Sequence, residues 1–242
     1  MRRLAALAGL VLAAGPVGAA ERGVTITEFD RIRVEGSFLV DVKTGRGPSA
    51  RLSGSPAALE TVSIQVQGRT LVVRRRQSTW GGYPGADTGP VSVRVTTPVL
   101  QSAALTGSGV VRVDRVVGQR VELIVDGSGR VSVDSIVADR ASLVVSGSGT
   151  MTGSGKVAQL EAQVRGAGSL DTADLDVADL RLTQQGSGSV TMRARRSATI
   201  NAFGSGTVNV DGTPACTVKN SGSGSVVCGQ GSAGAARRRA GS

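Results

Sequence analysis

Leu105-Thr106-Gly107-Ser108-Gly109-Val110-Val111-Arg112-Val113 is answered twenty residues later by Val125-Asp126-Gly127-Ser128-Gly129-Arg130-Val131-Ser132-Val133, and the same register returns down the rest of the chain. The Gly-Ser-Gly triplet opens at Gly107, Gly127, Gly147, Gly166 (with Ala167 in place of serine), Gly186, Gly204 and Gly222, in steps of 20, 20, 19, 20, 18 and 18 residues. Such a period marks a solenoid, whose repeats are too small to bury an apolar edge alone and bury it against their neighbours. Four positions after the first glycine stand Val111, Val131, Met151, Leu170, Val190, Val208 and Val226, and two further on come Val113, Val133, Met192, Val210 and Cys228. Between these columns lie Arg112, Ser132, Thr152, Asp171, Thr191 and Asn209, so inward and outward positions alternate in register from rung to rung. Upstream, Leu123, Leu143, Ala162, Leu182, Ile200 and Val218 repeat the pattern.

The fold expected is all-β: a single-stranded right-handed parallel β-helix with rungs of about 20 residues, stacked at about 4.8 Å, the hand following the rule for parallel crossovers. The triplet glycines are corner residues that reach positive φ without a Cβ clash. Their serines form a ladder broken at Ala167. It is read first as a set of hydroxyls that satisfy turn backbone. The alternative is a row facing a periodic ligand such as a glycan, which requires the row to face solvent.

Ahead of residue 99 the alternation is less regular. Strands are expected at Val24-Thr25-Ile26, Ile32-Arg33-Val34, Leu39 to Val42, Val62 to Val66, Leu71 to Val73 and Val91 to Val95, with Gly45 to Ser49 and Ser53 to Pro56 as separators. The one helical hint is a turn around Ala57 to Thr61.

Residues 1–20 read as a signal peptide, with Arg2 and Arg3 as the charged region, Leu4 to Ala14 as the apolar stretch and Gly18-Ala19-Ala20 as the cleavage site before Glu21. The apolar run is too short to span a bilayer, and no transmembrane segment is expected elsewhere. Residues 21–228 form one domain, with regular rungs over 99–228, and 229–242 read as a disordered basic tail around Arg237-Arg238-Arg239. The expected location is periplasmic, or secreted to the cell surface. Net charge is +10 and falls to +8 when Arg2 and Arg3 leave, a balance that favours anionic surfaces through long-range attraction; no nucleic-acid partner is expected. With 2 % aromatic residues, the core must be built from Val, Leu, Ile and Ala. Cys216 and Cys228, six residues either side of Gly222, are expected to form a disulfide that staples the last rung.

The chain has no histidine, which excludes Ser-His-Asp and Cys-His catalysis, and no Gly-x-Ser-x-Gly elbow occurs. Two thiolates do not complete a zinc shell. Calcium-binding nonapeptides need Asp two residues after a glycine, where these triplets carry Val, Met or Leu. No cofactor, metal or catalytic residue is therefore assigned. Asp171, Asp174, Asp176 and Asp179, with Asp114 and Asp134 one rung apart, are read as a solvated face, the alternative being paired acids for calcium or polysaccharide cleavage. The segment 77–90 holds the only Trp and Tyr, Trp80 and Tyr83. It is either a lid over the column or, with Arg74 and Arg76 beside it, a ligand-binding edge.

The chain resembles the head GIN domain, or putative auto-transporter adhesin, family over about residues 24 to 228. The likeness rests on Phe29-Asp30-Arg31-Ile32-Arg33-Val34-Glu35-Gly36 followed by Val40-Asp41-Val42, on Gly68-Arg69-Thr70-Leu71-Val72-Val73, on Pro98-Val99-Leu100 leading into Leu105 to Gly109, and on Val208-Asn209-Val210-Asp211-Gly212-Thr213-Pro214. The resemblance implies a β-helical fold and supplies no catalytic residues. The function expected is an exported, non-enzymatic envelope module for adhesion or binding, with an envelope glycan or protein as partner, or with columns joined end to end as a homo-oligomer. A polysaccharide-active enzyme using the aspartate cluster and a purely structural envelope protein are the alternatives.

Overall fold

The computed structural model describes residues 20–76 and 89–229. The chain enters through β1 (Ala20–Val24), β2 (Arg31–Glu35), β3 (Leu39–Thr44) and β4 (Ser49–Gly54), turns through the short helix α1 (Pro56–Glu60), and continues with β5 (Val62–Gln67), β6 (Thr70–Arg75), β7 (Ser92–Thr97) and β8 (Ser102–Gly107). Five long strands follow, β9 (Val110–Gly127), β10 (Arg130–Gly147), β11 (Thr150–Gly166), β12 (Ser169–Gly186) and β13 (Ser189–Gly204), and then β14 (Thr207–Gly212), β15 (Ala215–Ser221) and β16 (Ser225–Cys228). Each triplet falls between two of these strands, as the periodicity predicts.

Every long strand serves two ladders. The first part of β9 pairs with β3 and its last part with β8. The two ladders then run in parallel through β13 and end separately, one in β14 and β16, the other in β15. Rung follows rung in register, Val131 beside Val111 and Met151, Leu143 beside Leu123 and Ala162. From β9 to β14 the inward side chains are buried, and the interior is an aliphatic stack interrupted by the buried Thr172 and Gln184, which is the parallel β-helix expected from the alternation.

The N-terminal end is built differently. One ladder runs β1-β4-β7-β3, with β1 and β4 antiparallel to their neighbours, and the other begins with the antiparallel hairpin of β5 and β6. Strand β1 begins at Ala20 and ends at Val24, so the strand expected over Val24 to Ile26 lies upstream of that place. Strand β4 lies between the two separators and overlaps their ends, where no strand is expected, because Val93 and Val95 of β7 offer an edge to Leu52 and Ala50. Helix α1 links β4 to β5, starts with Ser55 Oγ accepting from the Ala58 N–H, and buries Ala58 and Leu59. It covers the interior at this end with Ala58 and Leu59. At the other end β15 is exposed along its whole length, and Val218 is 42 % exposed where Ile200, one rung earlier, is wholly buried. Cys216 and Cys228 form a disulfide with Cα atoms 6.4 Å apart, joining β15 to β16 and so tying the two ladders together on the last rung.

The corners explain the triplet residue by residue. The first glycine takes φ between 99 and 139° in every repeat, and its carbonyl accepts from the next triplet: Gly107 O receives the N–H groups of Ser128 and Gly129 at 3.0 and 2.9 Å. The third glycine is buried against the rung below, and a Cβ on Gly129 would lie 2.6 Å from Gly109 O. The middle residue faces solvent at every corner, and its hydroxyl makes no hydrogen bond among the described residues. The turn backbone is therefore satisfied from rung to rung, and the expectation that the serines serve the turns is corrected.

Gly127→Ala should lower stability by at least about 1–2 kcal/mol, the strain of an L-residue at positive φ, whereas Ser128→Ala should stay within about 0.5 kcal/mol of the parent; chemical denaturation of the two variants checks the contrast. Replacing both cysteines by serine should loosen only the last rung, by up to about 3 kcal/mol on the chain-entropy scale. Amide exchange should then accelerate over 215–228 while β9 to β12 keep their protection.

Candidate functional site

Three outward columns lie side by side, one at the corners and two on the ladder that contains the first parts of the long strands. One is the middle residue of each triplet. The second runs Thr150, Ser169, Ser189, Thr207, Ser225, each in register with the next. The third runs Ser132, Thr152, Asp171, Thr191, Asn209, Val227. From Ser148 to Val227 every residue in these columns is Ser or Thr except Ala167, Asp171, Asn209 and Val227, and Asp171 is the sole charge. The side chains are exposed or half-exposed. None of the Ser and Thr hydroxyls of these three columns donates or accepts within the described residues. Sheet geometry sets the second and third columns about 7 Å apart along the strand and the rungs about 4.8 Å apart, and with the first column at the adjoining corner the face is a regular lattice of free donors and acceptors. The third column stands in the sequence between the two apolar ones, but it reads there only as polarity facing solvent.

Asp134, Asp171 and Asp174 line one shallow depression of about 210 Å3, while Asp114, Asp176 and Asp179 are engaged elsewhere. Asp171 belongs to the hydroxyl face and accepts from the Ala173 N–H at 3.3 Å. Asp176 pairs with Arg195 at 2.5 Å. Asp179, 28 % exposed, takes a two-pronged contact from Arg196, with Nε at 2.8 Å from Oδ1 and Nη2 on Oδ2, and the Ser197 hydroxyl donates to Oδ1 at 2.8 Å. These contacts, the Arg196 hydrogen bond first, hold the Asp179 carboxyl down at about 2 and push the Arg196 guanidinium up. Asp114, read in sequence as one of a stacked pair with Asp134, anchors the end of β3 by accepting from Thr44 N at 3.0 Å and from the Thr44 hydroxyl. No group of three or more His, Cys, Asp or Glu able to hold a metal occurs among the described residues. The ion pairs with Arg195 and Arg196 escape a reading of the sequence because each partner lies nearly one rung away.

Trp80 and Tyr83 lie outside the described residues. Arg74 is exposed in β6, in register with Glu35 and Ser63. The Arg76 side chain is also exposed, and its N–H donates to Thr61 O at 2.6 Å. Both stand near the N-terminal end, away from the hydroxyl lattice. No helix among the described residues is long and apolar enough to cross a membrane.

The folded pKa of Asp179, about 2, lies below the ordinary carboxylate value near 4. The contribution of the Arg196 contact is therefore full above pH about 4 and is lost as pH falls toward about 2. Asp179→Asn should flatten that part of the thermal midpoint against pH curve and leave the profile above pH 5 parallel to the parent, measured by circular dichroism.

Comparison with known proteins places this geometry. The family model described as "Putative auto-transporter adhesin, head GIN domain" matches residues 28–214. Among solved structures, the chain is similar to a putative adhesin from Bacteroides fragilis, with a TM-score of 0.79 at 18 % identity, covering 86 % of this chain and 95 % of that one. A putative lipid binding protein from Parabacteroides distasonis gives 0.70 at 19 % identity, over 88 % and 98 %. A putative adhesin from the same organism gives 0.64 at 17 % identity, over 88 % and 97 %. At these identities the likeness shows the fold. No curated protein matches the chain. With the family model spanning most of the rungs and the motifs at both ends of the column, the chain belongs to the putative auto-transporter adhesin, head GIN domain family.

Proposed function

We propose that this protein is an exported, non-enzymatic binding module of the cell envelope that holds a neutral, hydroxyl-rich glycan against its Ser/Thr face. The observation that carries the reading is the lattice of hydroxyls from Ser148 to Ser225, which the fold positions but does not use. A buried serine ladder would have been scaffolding; this one faces outward, with donor and acceptor capacity left for a ligand. The repeat suits an extended polymer, since each rung offers the same groups to the next unit of a chain. The name of the family, an adhesin, agrees with a role in attachment.

Export is part of the proposal. The sequence of residues 1–20 has the form of a signal peptide, and cleavage before Glu21 leaves Glu21 to Val24 to pair with Ser53 to Ala50 of β4. The Cys216–Cys228 disulfide suits an oxidising compartment. The paired state of Asp176 and Asp179 favours binding over cleavage, because a carboxyl held at about 2 by an arginine is a poor proton donor near neutral pH.

Thr150→Val, Thr191→Val and Thr207→Val together should weaken binding to a neutral glycan on an array by tenfold or more, at about 0.5–1.5 kcal/mol for each hydroxyl lost, with the thermal midpoint retained. A triple variant that binds as the parent does would sink the assignment to this face. Turnover of the glycan would sink the non-enzymatic reading.

A further inference from the structure

A second surface lies on the other ladder, where the long strands resume after their bend. A trough of about 440 Å3 crosses β9 to β13 there, its outward lining set over the buried Ala141, Leu160 and Leu180. Arg120 of β9 and Arg140 of β10 stand in register at one edge, about 4.8 Å apart by the sheet spacing. Like charges directly opposite one another on a sheet are unfavourable. Yet neither guanidinium forms an ion pair among the described residues. The one polar contact of the pair is Arg140 Nε donating to Gln159 Oε1 at 3.1 Å.

Asp179, in line with Arg140 two rungs further on, offers no compensation, because Arg196 and Ser197 already occupy its oxygens. Arg181 also lines the trough, and Glu161, in register with it, is the one carboxylate of the lining without an ion-pair partner among the described residues. The unpaired charge is therefore positive. No aromatic ring lines the trough among the described residues, so a neutral sugar has no face to stack on there. Affinity here must come from charge-assisted hydrogen bonds between guanidinium and an anionic group, the strongest kind available to these residues.

We propose that this trough binds an acidic polysaccharide, with Arg120 and Arg140 taking the carboxylates of successive uronic acid units. The register of the two arginines on adjacent rungs offers two cations along the column to a repeating polyanion, and Ser142 and Gln159 stand beside them for the ring hydroxyls. The inference shares with the proposed function only the idea of a glycan ligand; the surface and its chemistry are different.

The test is calorimetric titration of the purified protein with polygalacturonate and, separately, with a neutral glucan of similar length, at low and at physiological salt. The expected result is saturable binding of polygalacturonate that weakens with salt and falls tenfold or more in the Arg120→Gln/Arg140→Gln double variant. Arg51→Gln/Arg94→Gln removes the same charge from another register-matched arginine pair, on β4 and β7 outside the trough, and should leave the affinity within twofold. An equal loss in both double variants would assign the binding to net charge and overturn the site, as would a parent protein that ignores polygalacturonate. Retention of neutral-glucan binding in that last case would leave the hydroxyl-face reading standing while this one fell.

Discussion

The structure depends on one hydrogen-bonded contact repeated at every corner: the carbonyl of a triplet's first glycine pointing along the column and accepting from the next triplet. Gly127 O takes the Ser148 N–H at 2.9 Å, as Gly147 O takes that of Ala167 and Gly186 O those of Ser205 and Gly206. A bend in a sheet would otherwise strand these polar groups at the edge of an apolar interior, where an unpaired donor or acceptor is costly. By bonding the corners to one another, the chain turns without leaving its ladder, and both ladders keep their register through β13. The close approach that makes this possible leaves no room for a Cβ on the third glycine. Glycine is thus required at the corner by conformation and contact together at the first position and by contact alone at the third.

The periodic half of the molecule is legible in its sequence because one constraint acts on every rung. Val111, Val131 and Met151 recur for the same reason that their neighbours do, and alternation identifies their side without any partner being known. The N-terminal end lacks this redundancy. Strand β4 has only Ala50 and Leu52 to mark it, between serines and glycines, and forms because Val93 and Val95 lie opposite, which is tertiary information. Gln184 is a further example. It occupies the column of Leu105, Val125, Val145 and Val164, is buried, and donates to Gly188 O at 2.5 Å across the corner, while its own carbonyl oxygen has no partner. Asn220 repeats that contact in the last rung at 2.9 Å to Gly224 O. The column marks Gln184 as inward, but nothing in the spacing names the Gly188 carbonyl as its partner.

Function is harder to read for a related reason. The pattern that encodes the fold also fixes where outward residues stand, but it does not say whether they are bonded to each other. The serines of the triplets illustrate this: their recurrence invites a structural role, and the rung-to-rung backbone bonds remove the need for one. The aspartates between Asp171 and Asp179 show the reverse. Their clustering in sequence invites a chemical role, and Arg195 and Arg196 on the following rung absorb two of them into ion pairs. In both cases the deciding partner sits one rung away, at a distance along the chain that local patterns do not reach.

The freedom of the triplet's middle position gives the column the properties of a ruler. Any side chain placed there is displayed at the sheet spacing of about 4.8 Å, on a frame whose stiffness comes from elsewhere. A ligand with many identical units meets many identical contacts, each too weak to matter alone, and once one unit is held the next binds at high effective concentration. Grip then grows with the number of rungs engaged, and the addition or loss of a whole rung alters avidity without any change in the chemistry of a single contact.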